Sequence, residues 1–159
     1  MMIKKIIFLF VPIVCYSQIT YKDVMSISDV KLFKKVMIEN SYEKNVVDDG
    51  WLVYGYNIIK DSLDGDRSSK WGLYNLDDDR FMLQFNKESF FGLSDESDYD
   101  NIVKEIKKNC TYYDVIEYTN SSGDVNDFVC YSCPQSKYKG KIGFMVYDGN
   151  GVIRHFPND

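Results

Sequence analysis

Apolar residues fall at helical spacing twice along this chain, and each time a strand-like alternation follows. The stretch SDVKLFKKVMIENSYE, from Ser28, puts Phe33, Val36 and Met37 on one side of a helix. The stretch SDYDNIVKEIKKNCTYY, from Ser97, does the same with Ile102, Val103 and Ile106. Each opens on Ser-Asp, whose side-chain oxygens can accept from the free N–H groups of a first helical turn. Lysines gather late in both, where positive charge complements the helix dipole. Aligned on Ser-Asp, the stretches match Ser28 with Ser97, Asp29 with Asp98, Phe33 with Ile102, Met37 with Ile106 and Asn40 with Asn109.

Behind the first helix, GWLVYGYNI is rich in aromatic and branched residues. The polar run KDSLDGDRSS follows, then KWGLYNL and RFMLQF around an acidic turn at Asp77 to Asp79. Behind the second, YYDVIEY leads through TNSSGDVND to FVCYSC. KIGFMVY and VIRHF then flank DGNG, whose residues tolerate the positive φ of a tight hairpin. The pattern predicts an α+β domain: two tandem helix-then-antiparallel-strands units forming one sheet, with both helices packed on one face. It also suggests an internal duplication over about 26–90 and 95–157. The layout resembles the tandem helix-plus-sheet modules of β-lactamase-inhibitor-like and PepSY-like exported proteins. That resemblance is one of architecture and implies no residue role.

The chain start changes the picture. Lys4 and Lys5 precede an apolar run from Ile6 to Val14, too short to span a bilayer but of secretory length. The expected cut follows Ser17, with Cys15 and Ser17 at the small-residue positions and Gln18 as the new N-terminus. A periplasmic or secreted protein of residues 18–159, forming one domain, would result. A lipid anchor on Cys15 is disfavoured, because the large Val14 precedes it. No other segment is apolar enough to be a transmembrane helix.

Composition then narrows the classes. The formal net charge is −5, and dispersed lysines do not supply the concentrated basic face that nucleic acid requires. The absence of alanine and the abundance of Lys, Asn, Ile and Tyr follow an AT-rich coding bias. That bias explains most of the 13 tyrosines without a carbohydrate platform.

Three cysteines remain after cleavage. Cys130 and Cys133 form a C-x-x-C, but inside a strand-like run, without the helix N-terminus that lowers a redox thiol's pKa. Residues three apart in a strand also face opposite ways. A zinc site from Cys110, Cys130, Cys133 and His155 has only one C-x-x-C behind it and would face oxidation outside the cell. The favoured expectation is one disulfide from Cys110 to Cys130 or Cys133, with the third thiol buried and inert.

Other chemistry finds thin support. DSLDGDRSSKWG, from Asp61, misses the calcium-loop pattern at Leu63, Gly65 and Gly72, leaving Asp61, Asp64 and Asp66 as weak calcium candidates. Asp77, Asp78 and Asp79 would splay from a turn rather than oppose one another across a substrate. His155 is the sole histidine and reads as structural, and no nucleophile elbow, phosphate loop or HExxH occurs. No cofactor or metal is expected. The function expected is a non-catalytic module binding a protein or glycan through an exposed sheet face or loops. Trp51, Tyr54, Tyr56, Trp71 and Tyr74 are its candidate contacts. The runner-up is an extracellular or periplasmic hydrolase of glycans or peptidoglycan using a carboxylate pair, and a third reading is a structural envelope component.

Overall fold

The computed structural model describes residues 18–48, 50–60, 65–86, 97–120 and 122–158. The expected secretory segment, with Cys15 and Ser17, and the calcium candidates Asp61 and Asp64 lie outside them. Among the described residues, three helices, α1 (Tyr21–Ser26), α2 (Val30–Glu39) and α3 (Asp98–Asn109), accompany eight strands. These are β1 (Glu43–Asp48), β2 (Trp51–Tyr56), β3 (Lys70–Asn75), β4 (Arg80–Asn86), β5 (Thr111–Thr119), β6 (Val125–Ser132), β7 (Gly140–Tyr147) and β8 (Asn150–Pro157). All eight form one antiparallel sheet in the order β1-β2-β3-β4-β8-β7-β6-β5.

The expected pair of helix-then-strands units, with both helices on one sheet face, is therefore corrected. A single eight-stranded ladder dominates, and the helices are three short segments. One of them, α1, was not anticipated, and it packs against α3. The physical reason is that hydrophobic period reports local conformation, whereas strand pairing is non-local. The β4–β8 ladder, with Leu83 opposite Ile153 and Met82 opposite Arg154, joins strands of both stretches into one hydrogen-bonded body.

Local chemistry explains where the helices start. Thr20 closes a reciprocal box with Asp23: the Asp23 N–H donates to Thr20 Oγ1 (3.3 Å) and the Thr20 N–H to Asp23 Oδ2 (2.9 Å). Asp29 Oδ1 accepts from the N–H groups of Leu32 (3.0 Å) and Lys31 (2.9 Å); the Leu32 bond first, then the Ser28 hydroxyl on Oδ2, holds its carboxyl below the usual range. Ser97 Oγ caps α3 by accepting from the Asp100 N–H at 3.3 Å. In the β7–β8 hairpin, Asp148 (φ 47°) and Gly149 (φ 70°) both take the left-handed backbone that its tight turn demands.

The main core lies on one sheet face. Phe33 of α2 meets Tyr54 (ring centroids 5.8 Å apart) and Tyr74 (5.2 Å), with all three buried. Gly72 makes this fit: a Cβ there would sit 2.4 Å from Met37 Sδ. Tyr99 of α3 lies on Gly151, and its hydroxyl donates to the Met145 carbonyl at 2.8 Å. Burying each such large side chain stabilises the fold by about 1.5–3 kcal/mol. Lys70 on β3 and Asp98 on α3 add a half-buried ion pair. The Cys110–Cys133 disulfide ties the end of α3 to the chain just past β6, and Cys130 stays free and buried.

Candidate functional site

The sheet has a second apolar face, and among the described residues strands alone build its cluster. Phe128, Cys130, Val152 and Phe156 are buried there, with Met82, Ile116, Tyr118 and Met145 half-buried around them. Opposed residues on neighbouring strands share a face, so the register traces one row across it. The row runs Val53, Leu73, Met82, Arg154, Gly143, Cys130, Asp114, from β2 to β5. Its β2–β4 end is apolar and half-buried. Trp51 and Trp71 stand on this face as well. Gly55, opposite Trp71, has no Cβ because one would lie 2.8 Å from the Trp71 ring.

The five aromatic candidates are thus not one patch. Trp51 and Trp71 share the second face, half-buried beside Val53 and Leu73. Tyr54 and Tyr74 point into the main core at 5% and 1% exposure, where they meet Phe33. Burial raises the pKa of both hydroxyls, and the nearby Asp79 carboxylate adds to the rise at Tyr74. Tyr56 is half-buried on the core side, 5.7 Å from the Tyr42 ring, with Lys70 Nζ 5.2 Å above it.

Two cations on the second face escaped the sequence reading. Lys141 is 6% exposed with Nζ 3.8 Å from the Tyr113 ring centroid. Arg154 is 5% exposed, its guanidinium carbon 3.6 Å from the Tyr118 ring and 5.8 Å from that of Phe156. Alternation in VIRHFP does place Arg154 and Phe156 together. What it lacks is any sign that β8 is central, which is what buries them. On β6, next to the strand of Lys141, Cys130 Sγ donates to the Phe128 carbonyl at 3.5 Å. Burial pushes its pKa up to about 11, with Asp114 adding a little and the Ile116 backbone and Lys141 opposing, so the thiol stays protonated near neutrality.

The remaining candidates serve the scaffold. Asp66 pairs with Lys60 (2.6 Å). Asp78 pairs with Arg80, and Asp79 Oδ1 accepts from the Tyr74 hydroxyl at 3.2 Å. His155 is 1% exposed, stacked 3.8 Å from Tyr138. Among the described residues, no cluster of three or more His, Cys, Asp or Glu could hold a metal ion, and no helix is long and apolar enough to cross a membrane. Two open grooves flank Tyr21 and Lys22 between α1 and α3. Their linings share one carboxylate, Glu105, and contain no opposed acidic pair.

No protein-family model, no curated protein and no solved structure matches the chain. The architectural likeness to tandem exported modules gains no support from them, and the site's geometry alone carries the functional reading.

Proposed function

We propose that this chain is an exported, non-catalytic binding module that engages a macromolecular partner through the second face of its sheet. The observation that carries the reading is that face itself. It holds both of the chain's tryptophans beside Val53, Leu73 and Met82, and among the described residues no helix residue contributes to its buried cluster. Half-buried Trp flanked by apolar side chains is the composition that dominates interface energetics. Export rests on the basic start and apolar run of the first 17 residues, and the Cys110–Cys133 disulfide is compatible with an oxidising compartment.

The test uses the two tryptophans as reporters, since both lie on the proposed face. Purified exported protein is titrated with soluble peptidoglycan fragments, glycans and candidate envelope proteins while intrinsic fluorescence and acrylamide quenching are followed. A true partner shields both indoles, and the Trp51→Ala/Trp71→Ala variant, folded by circular dichroism, binds at least about tenfold more weakly. Binding that leaves quenching unchanged and survives the double substitution would move the interface elsewhere.

A further inference from the structure

Arg154 sits almost wholly inside the second face, yet among the described residues its guanidinium makes no hydrogen bond and no ion pair. Its contacts are the rings of Tyr118 and Phe156. Stacking uses the flat faces of a guanidinium, whereas its five N–H donors lie in the plane, so the edge is left to another acceptor. Asp114, the carboxylate of the same row, stands three strands away, about 14 Å across the sheet. A buried charge with no counterion is costly. Lys141, one strand over on the same face and equally deep, adds to the local positive potential.

We propose that Arg154 anchors the carboxylate of a ligand that carries one negative charge and an apolar body. One planar fork matches one carboxylate through two parallel hydrogen bonds. The surroundings specify the rest: Met82, Met145, Ile116 and Tyr118 are half-buried apolar groups at the rim of the cluster, and they would dock an alkyl or aryl body beside the charge. A small hydrophilic anion would leave that rim in water. This deepens the binding-face reading and rests on the same face being open, but it needs no macromolecule.

The probe is octanoate, titrated calorimetrically into the whole exported protein with its disulfide intact. Octanol, octylammonium, acetate and inorganic phosphate serve as comparisons. Octanoate is expected to bind, and octanol, octylammonium and acetate each to bind at least about tenfold more weakly, as loss of a charge-assisted pair or of the apolar contact requires. Arg154→Met is expected to lose the preference of octanoate over octanol, and Arg154→Lys to retain only part of it. Because the ligand series is read on the unaltered protein, the test stands even if the Arg154 variants fold poorly.

Equal binding of octanoate and octanol would overturn the carboxylate. Phosphate or acetate binding as tightly as octanoate would overturn the apolar body. A dimer that buries the face and is undisturbed by octanoate would replace the ligand with a second copy. Octanoate binding unaltered by Trp51→Ala/Trp71→Ala, with no macromolecule quenching the indoles, would leave this proposal standing while the macromolecular reading fell.

Discussion

His155 offers the sharpest test of how this sheet is held. Its ring is 1% exposed, parallel to Tyr138 at 3.8 Å and tilted against Phe81 at 3.8 Å. Neither Nδ1 nor Nε2 has a hydrogen-bond partner. Burial drives its pKa well below the ordinary 6.5, with no charged group contributing to the shift, though the Tyr138 hydroxyl beside it feels Arg80, Arg154, Asp78 and Asp79. The unfolded chain therefore takes up a proton near pH 6.5 that the folded chain refuses. Stability falls as pH drops below 6.5, by up to about 1.4 kcal/mol per pH unit, until the depressed folded pKa is reached.

His155→Phe removes both orphaned nitrogens, each costing about 1–3 kcal/mol, while the larger ring strains its neighbours by about 1–3 kcal/mol. The net expectation at pH 7.5 is a stabilisation of about 2 kcal/mol, and the margin over the unaltered protein should widen between pH 6.5 and 5. Urea unfolding at pH 7.5, 6.5 and 5.5 reads both effects. The chain has one histidine, so no other imidazole contributes in that window. The low carboxyl of Asp29 acts at lower pH, stabilising above its unfolded pKa and losing that effect as pH falls further. A less stable variant at pH 7.5, or parallel pH profiles for the two proteins, would refute the reasoning.

Four further outcomes follow from the packing. Replacing Cys110 and Cys133 by serine should cost about 3 kcal/mol in the loop-entropy account of a bridge closing 23 residues, measured by urea unfolding. In the unaltered protein, Cys130 should resist iodoacetamide until denaturant is added, as intact mass would show; rapid labelling under native conditions would contradict its burial. Gly151→Ala should destabilise by about 1–3 kcal/mol, because its Cβ would lie 2.5 Å from a Tyr99 ring pinned by the hydroxyl bond to Met145, whereas Gly123→Ala meets no neighbour and pays only for its positive φ. Lys70→Met, which leaves Asp98 without its half-buried partner, should lower stability by about 1–3 kcal/mol in urea unfolding, and by less at high salt, which screens the pair in the unaltered protein.

The candidate site shows where sequence reading stops. Alternation separates Trp51 and Val53 from Leu52 and Tyr54, and in the structure these two sets do lie on opposite faces. It carries no sign of which face meets α2, so Tyr54 and Tyr74 could stand beside Trp51 and Trp71 as candidates although they fill the core. The same limit hid Arg154. Its neighbours in VIRHFP were readable, but its burial follows from β8 pairing with both β4 and β7 at the centre of the sheet.

What the sequence determined by itself is local. Asp29 and Ser97 start helices because their oxygens reach N–H groups two or three residues on, and Asp148-Gly149 turns because those residues accept positive φ. The strand-like reading of FVCYSC already put Cys130 and Cys133 on opposite faces. Only the tertiary structure chose Cys133 as the partner of Cys110, because the end of α3 comes down on the main-core side, and only it made one ladder of eight strands. Caps and turns are fixed by atoms a few residues apart. Pairing order, buried charge and the division of residues between the two faces are fixed by contacts between residues far apart in the chain, which no short window of sequence contains.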